Sequence, residues 1–424
     1  MLKAINTEYR KMRRILLVSI DVNPNLGSEA GKAHNWLLAL AEHFEVDVFV
    51  HSKHRKAIEQ FGYPNNIRFL FAHPNPTREK SFEKFRRYDR INRLFIDKIE
   101  EEFYRMLNTG EIELVHFLTP AGLHSYNTLY KKQSFPYIIG PLGGGLSTPR
   151  GFGNLFSCKE RIGDILRHSF YTLLKLNPNY KAYLRNAKKI IVGTEYLIDY
   201  LPRNFHSKTI VHFDTLVNMD EFKICEKSVR VHSHAEIIRI VFSGRLASVK
   251  GVELLVEAVR IALERYHGLN NRLQVDIFGD GPKRSKVESK LSDYGLREVV
   301  HLHGAVPKMQ VIEALCKADI YCLPTIREPG GNAILEAMAS GLPIITSDYG
   351  GPKFSVTDDC GIKIPVDNFD DYVSKLADAI AKLASDESLR KKMGESARKR
   401  VRETFSLDAL KANITNIYSS LLFD

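Results

Sequence analysis

The chain has 424 residues, 44% of them hydrophobic and 26% charged, a balance that excludes disordered, collagen-like and coiled-coil chains and leaves room for two large globular domains. Its net charge of +11 is uneven, with net +10 over residues 1–225 and +1 over residues 226–424. Such asymmetry points to an anionic partner for the first half: a membrane surface, a phosphorylated substrate or nucleic acid. In chain order, Arg13-Arg14 followed by ILLVSI (15–20) resembles a leader, but the apolar run is short and stops at Asp21 and Asn23-Pro24, so it predicts a buried first strand. Further strands are expected at 46–50, 67–72, 113–117, 136–140 and 189–193, then at 237–242, 273–278, 299–302, 318–323, 343–346 and 361–364. Amphipathic stretches between them, among them 29–43, 251–264, 308–316 and 331–340, predict helical crossovers. The fold class is therefore α/β, with two doubly wound domains in tandem, residues 1–225 and 226–404, and the polar run KICEKSVRVHSHAE (223–236) as hinge. Residues 406–421 carry Leu407, Leu410, Ile414, Ile417 and Leu421 at helical spacing, which predicts a helix whose apolar face requires a partner surface.

The five cysteines, Cys158, Cys225, Cys316, Cys322 and Cys360, include no C-x-x-C pair and no close framework. The expectation is reduced thiols, no structural zinc and a cytoplasmic protein. No segment approaches the roughly 20 apolar residues that span a bilayer, so membrane contact is expected to be peripheral.

Ligands of open α/β sheets sit beyond the carboxyl ends of strands, so the turns carry the chemistry. After the first strand, Gly27 and Gly31-Lys32 enclose three residues where a phosphate loop has four, and Ala33 stands where such a loop has Ser or Thr. Gly27 then either approaches a phosphate or sugar closely or simply makes a turn. Gly143-Gly144-Gly145 follows a later strand and reads as a flexible loop or as backbone contact with a ligand, and His116 ends an apolar strand as either a core or a site residue. In FSGRLASVKG (242–251), Arg245 and Lys250 beside a helix start suit a diphosphate. In DIFGDGPKR (276–284), Gly279 and Gly281 permit close backbone approach. The densest segment is TIREPGGNAILEAMASGLPIITSDYGG (325–351), where Glu328 lies in a loop, Gly330, Gly331, Asn332 and Ala333 open a helix with free N–H groups, and Glu336 lies one to two turns further on.

The order of SGRL with Lys250-Gly251, then FGDGP, then the paired glutamates of EPGGNAILEAMASGLPII resembles the retaining GT-B glycosyltransferases of the large glycogen-synthase-like family four. LGSEAGKAHNWLLALAEHFEVDVFV, ELVHFLTPAG and VNMDEFK (217–223) extend the resemblance through the first half, and IIGPLGGGL (138–146) is similar to a run in bacterial polysaccharide transferases. The resemblance implies two Rossmann-like domains facing a cleft, with residues 405–424 crossing back to the first. It implies a nucleotide-diphosphate sugar, UDP- or GDP-linked, held mainly by the second domain, and an acceptor held by the first. Arg245 and Lys250 would stabilise the departing diphosphate, with no metal and no cofactor, since no Asp-x-Asp occurs. Glu328, with the amides of Gly330 to Ala333, would hold the hexose and act catalytically; Glu336 would hold the ribose. Gly27, Gly279 and Gly281 would belong to the donor side, Gly143, Gly144, Gly145 and His116 to the acceptor side, with His116 a candidate for catalysis. Leu118 stands where many relatives have a second histidine, and Met219 where a Val is usual.

Residues 51–90 and 151–190 each carry net +6, and the second stretch interleaves Tyr, Phe and Leu with Arg and Lys. That pattern suits an anionic membrane surface, and no nucleic-acid module is visible. The expected protein is thus a retaining hexosyltransferase acting on a glycan or lipid-linked acceptor at the cytoplasmic membrane face. A soluble or protein acceptor, an epimerase or a phosphorylase on the same fold, and a noncatalytic binding protein are the alternatives.

Overall fold

Apolar runs such as residues 15–18 and 137–142 are buried along their whole length, as in parallel strands covered by helices on both sides. The computed structural model describes residues 12–26, 28–84, 88–213, 215–227 and 237–422. In chain order its elements are β1 (Arg14–Ser19), α1 (Ser28–Leu40), β2 (Glu45–His51), α2 (Arg55–Phe61), β3 (Ile67–Ala72), α3 (Pro76–Lys84), α4 (Tyr88–Leu107), β4 (Ile112–Thr119), β5 (Tyr137–Leu142), α5 (Cys158–Leu174), α6 (Pro178–Asn186), β6 (Lys189–Val192), β7 (Thr209–Val211) and α7 (Lys223–Lys227). They continue with β8 (Ile238–Ser243), α8 (Val252–Arg265), β9 (Leu273–Phe278), α9 (Arg284–Asp293), β10 (Val300–Gly304), α10 (Lys308–Lys317), β11 (Ile320–Leu323), α11 (Asn332–Ala339), β12 (Ile344–Ser347), α12 (Gly351–Ser355), β13 (Gly361–Ile364), α13 (Phe369–Ser385), α14 (Glu387–Thr404) and α15 (Leu407–Leu422).

The chain divides into unit 1, made of Met1–Gly144, Tyr171–Asp214 and Leu410–Asp424, and unit 2, made of Gly145–Phe170 and Thr215–Ala409. Unit 1 holds a seven-stranded sheet in the order β3-β2-β1-β4-β5-β6-β7, and unit 2 a six-stranded sheet in the order β10-β9-β8-β11-β12-β13. The described pairings are parallel. Strand order reverses between β1 and β4 and again between β8 and β11, and the carboxyl side of such a reversal is where open sheets bind ligands.

Helical periodicity sets the layers of unit 1. On α4, Ile91, Phe95, Ile99, Phe103 and Met106 recur every three or four residues and pack with Leu16, Val18 and Phe117 on one side of the sheet. On the other side, Trp36, Leu37 and Leu40 of α1 are buried, as are Leu410, Ile414 and Tyr418 of α15. Lys411 also pairs with Glu42 at 2.6 Å, so the C-terminal helix from Leu410 onward is part of unit 1.

Three expectations require correction. The expected first domain, 1–225, takes in too much, because residues 145–170 and 215–225 belong to unit 2. Phe152, fully buried beside Phe369 and Tyr372, and the bonds from Lys283 Nζ to the Leu155 carbonyl (2.9 Å) and from the Tyr349 hydroxyl to the Ser147 carbonyl (3.0 Å) fasten the first of these segments there. The expected hinge begins with α7, and its residues 228–236 lie outside the described residues. The cysteines are not all reduced: Cys225 on α7 and Cys316 on α10 form a disulfide across 91 residues, a separation that no search for close pairs detects. Strand β7 has only three residues and follows β6 at the sheet edge, too short for period-two patterning to reveal it.

Candidate active site

The loops after β8 and β11 meet in unit 2. Their approach is set by Gly251, where φ is +70° and a Cβ would lie 2.0 Å from the Pro324 carbonyl oxygen, so only glycine fits at this contact. The Val249 carbonyl then accepts hydrogen bonds from the Thr325 hydroxyl (2.7 Å) and from the N–H groups of Ile326 (2.9 Å) and Arg327 (3.4 Å). Zipped in this way, the loops bring Lys250 against Glu328, whose Oε2 accepts a hydrogen bond from Lys250 Nζ.

Glu328 is held from two sides. Its Oε1 accepts the N–H groups of Gly330 at 3.2 Å and Gly331 at 3.0 Å, the donors expected to face an anion at the start of α11. The Gly351 N–H donates to the Glu328 carbonyl at 2.7 Å, fastening the loop after β12 to the same place. The carboxylate thus engages both the Lys250 cation and the two amides. Arg245 is exposed and makes no ion pair among the described residues, so its guanidinium faces solvent ready for an anion. Asn332 and Ala333 form the first turn of α11 as expected.

Glu336, one turn into α11, lies apart from that cluster and partners Lys308, whose Nζ is 3.7 Å from Glu336 Oε1 and 2.5 Å from Glu221 Oε2. Burial pushes the Glu336 carboxyl up from its ordinary value; Lys308 opposes this and Glu221 adds to it. Lys308 opens α10 and Glu221 lies in the VNMDEFK segment, and the Cys225–Cys316 bridge ties α7 to α10 close by. No motif marked Lys308, and VNMDEFK gave Glu221 no role; only the packing of α10 and α7 joins them. Arg327, Asp164 and Ser248 were missed as well. Asp164 Oδ1 accepts from Arg327 at 2.6 Å, and Ser248 donates to Glu160 at 3.1 Å, which ties the two loops to α5.

The glycines fare unevenly. Gly279 and Gly281 do permit close approach, but to the chain itself: a Cβ at Gly279 would lie 2.0 Å from the Gly244 carbonyl and one at Gly281 2.5 Å from that of Leu246. With the Leu246 N–H donating to Asp280 O at 3.0 Å, FGDGP buttresses the Arg245 loop, a correction to the expectation of direct ligand contact. Gly27 lies outside the described residues. Gly143 bridges Gly122 through its N–H to the Ala121 carbonyl (2.7 Å), and Gly144 and Gly145 follow with positive φ where the chain passes from unit 1 to unit 2.

His116 also departs from expectation. It lies inside β4 rather than at its end, fully buried, with Nε2–H donating to the Gly140 carbonyl (2.6 Å) and Nδ1 accepting from the Tyr418 hydroxyl (2.5 Å). The ring also packs edgewise on Trp36. Burial pulls the imidazole down to about 4, against the opposing effect of the Gly140 hydrogen bond. A neutral ring with both nitrogens engaged and no open edge is a core residue, and the acceptor-side and catalytic roles expected of His116 are withdrawn. The polar group beyond β1 and β2 is instead Asp21, which pairs with His54 (2.8 Å) and Lys53 (2.9 Å). Burial alone would raise the Asp21 carboxyl, yet these partners hold it at about 2.

Among the described residues no group of three or more His, Cys, Asp or Glu is arranged to hold a metal ion, and no helix is long and apolar enough to cross a membrane.

Residues 227–400 match the family model described as glycosyl transferases group 1. A curated relative, the D-inositol 3-phosphate glycosyltransferase of Kribbella flavida, is 30% identical over 168 residues, 38% of this chain and 39% of that protein. The chain spans 39 to 50% of the length of the first curated relatives it matches. Among solved structures, a sucrose-phosphate synthase from Thermosynechococcus elongatus superposes with a TM-score of 0.66 at 20% identity, over 97% of this chain and 99% of that one. Anabaena Alr3699/HepE in complex with UDP and glucose gives 0.62 at 15% identity over 96% and 100%. The two parallel sheets with flanking helices are the GT-B fold of these neighbours.

Proposed function

We propose, for a chain whose residues 227–400 match the model of the group 1 glycosyl transferases, that it moves a hexose with retention of configuration from a UDP- or GDP-linked sugar to a glycan or lipid-linked acceptor in cell-surface polysaccharide synthesis. The observation that carries this reading is the pairing of Lys250 with Glu328 at the sheet reversal of unit 2, beside the exposed Arg245 and the Gly330 and Gly331 amides. UDP in the complex of the similarly folded Anabaena protein supports the donor class.

On donor binding, the diphosphate takes Lys250 and Arg245 as its cations, so Lys250 exchanges a carboxylate partner for a phosphate one. Glu328, released from Lys250, accepts hydroxyls of the hexose, and the amides of Gly330 and Gly331 turn to the sugar or phosphate. Glu336 accepts the ribose hydroxyls, which offer the partly buried carboxylate the donors it lacks beyond Lys308. As the bond from C1 to the diphosphate oxygen lengthens, negative charge grows on that oxygen between two cations, and fixed charges aimed at developing charge lower the barrier. The acceptor oxygen bonds C1 on the same face, and its proton passes to the departing phosphate oxygen. The two cations carry the charge that a metal ion carries elsewhere, so the reaction runs without one. The acceptor is held by unit 1, and the protein works peripherally on the cytoplasmic membrane face. The first test is turnover of UDP- and GDP-sugars in EDTA: activity is expected to persist, and loss on chelation with recovery on magnesium or manganese would overturn the metal-independent mechanism. No turnover or hydrolysis of any nucleotide sugar would overturn the transferase reading itself.

A further inference from the structure

Helix α5 turns an unusual face to solvent. Ile162, Ile165, Leu166 and Leu173 recur at the spacing of one helical face and are 58, 65, 64 and 62% exposed. Isolated exposed leucines require no explanation, but the adjoining Ile162, Ile165 and Leu166, with Leu173 two turns further along the same face, do.

The helix cannot roll to hide it. Its start is a capping box, with the Glu160 N–H donating to Ser157 Oγ (3.3 Å) and Glu160 Oε2 accepting the Ser157 N–H (2.8 Å). On the face opposite the stripe, Glu160 accepts from Ser248 (3.1 Å), and Asp164 accepts from Arg327 (2.6 Å), from the Thr148 N–H (3.0 Å) and from Arg167. Arg167 in turn donates to the Leu146 carbonyl at 2.9 Å. Rolling the helix inward would break this set and bury charge without partners. The same bonds connect α5 to Ser248, two residues from Lys250, and to Arg327, next to Glu328.

Charge selects the occupant. Both carboxylates at this end of α5 are hydrogen-bonded to Ser248 and Arg327 of unit 2, whereas Lys159 and Arg161, both exposed, flank the apolar stripe at helical spacing. A second copy of the chain docked through the stripe by two-fold symmetry would set this basic rim against itself. An anionic bilayer meets both features, with apolar side chains entering the acyl boundary and cations at the headgroups. We infer that α5 is an interfacial helix that inserts Ile162, Ile165 and Leu166 into an anionic phospholipid surface. The inference deepens the membrane-face reading above and rests on it. It narrows the contact from two basic stretches to one helix, whose inner face is hydrogen-bonded to both loops of the candidate donor site.

The test uses the full-length protein with vesicles of phosphatidylethanolamine and phosphatidylglycerol, and with phosphatidylcholine alone. The chain has a single tryptophan, the buried Trp36, so the emission of Leu166→Trp less that of the wild type reports on the introduced residue. Its emission is expected to shift to the blue and to be quenched by brominated lipid when anionic vesicles are added. Flotation of an Ile162→Ser, Ile165→Ser, Leu166→Ser variant is expected to show partition at least about tenfold weaker, with the salt-resistant fraction lost first. Unchanged melting temperature and unchanged lipid-free donor hydrolysis would show that this variant is folded and its donor site intact. Equal partition of wild type and variant, a reporter indifferent to vesicles, or lipid-free self-association that the variant abolishes would each overturn the inference. A protein that hydrolyses donor but ignores vesicles sinks the helix and leaves the transferase; one that binds vesicles but turns over no donor does the reverse.

Discussion

Strands β4 and β11 hold the same place in their sheets, each beside the first strand of its unit where the order reverses. One carries His116, the other leads to Glu328, and their fates differ. His116 is the fifth of eight residues in β4, so helices α1 and α15 close over it and its two nitrogens find backbone and side-chain partners. Glu328 comes five residues after Leu323 ends the short β11, in a loop where a neighbouring cation reaches it. The same topology therefore produces a core residue when the polar group falls within the strand and a site residue when it falls beyond the strand end.

The largest expected effect tests the second half of that contrast. Glu328→Ala should lower kcat by roughly a hundred- to a thousandfold, as for loss of a group acting in the transition state, while the Kd for free nucleoside diphosphate changes much less, because Lys250 is then unpaired. Calorimetry showing affinity lost in step with kcat would make Glu328 a mere ground-state contact.

The pH dependence of stability tests the first half. An unfolded histidine takes up a proton below about pH 6.5, whereas burial holds that of His116 at about 4. Between these values the unfolded state binds more protons, so stability falls as pH falls from 6.5 to 4, by up to about 3 kcal/mol from this group, and changes no further through it below 4. Urea melts across that range, compared with His116→Gln, isolate the contribution. An imidazole resonance assigned to His116 that titrates near 6.5 would return the residue to the surface and to the site.

Smaller effects sharpen the division within unit 2. Arg245→Ala and Glu336→Ala should each weaken nucleotide binding by about 1.5 to 3 kcal/mol, the range of hydrogen bonds to charged groups, with kcat less affected in Glu336→Ala. Equal kcat losses in Glu336→Ala and Glu328→Ala would abolish the distinction between ribose and hexose carboxylates. The smallest effect is expected of Tyr418→Phe, which removes one buried hydrogen bond to His116 and should lower stability by about 1 kcal/mol with kcat and KM unchanged. A fall in kcat alone would mean that His116 takes part in transfer.

Much of the architecture was legible because it depends on local periodicity. Apolar runs of four to six residues and the helical recurrence of Leu407, Leu410 and Ile414 announce strands and helices wherever the chain later folds. Arg245, Lys250, Glu328 and Glu336 were legible for a related reason: they follow strand ends, and a strand end followed by glycine is visible in one dimension. What escaped depends on distance in sequence. The Cys225–Cys316 bridge, the Lys308 contacts with Glu221 and Glu336, and the Asp164 grip on Arg327 join residues 28 to 163 positions apart. No spacing rule relates such pairs.

The sequence by itself determined the α/β class, the two doubly wound sheets and the residue types at the strand ends, because hydrophobic burial acts on a period that the chain carries locally. Only the tertiary structure decided which of those residues faces a ligand. Lone His116 and lone Glu328 are equally plausible in one dimension, and their roles diverge through groups hundreds or tens of residues away: Tyr418 closes over the first, and Lys250 opens beside the second. The same holds for α5, whose sequence offers apolar residues at several angles. The carboxylates of Glu160 and Asp164, fixed by Ser248 and Arg327, select the face left to solvent. Burial is a property of the folded chain as a whole, and a polar side chain acquires its chemistry from what the fold leaves it to meet.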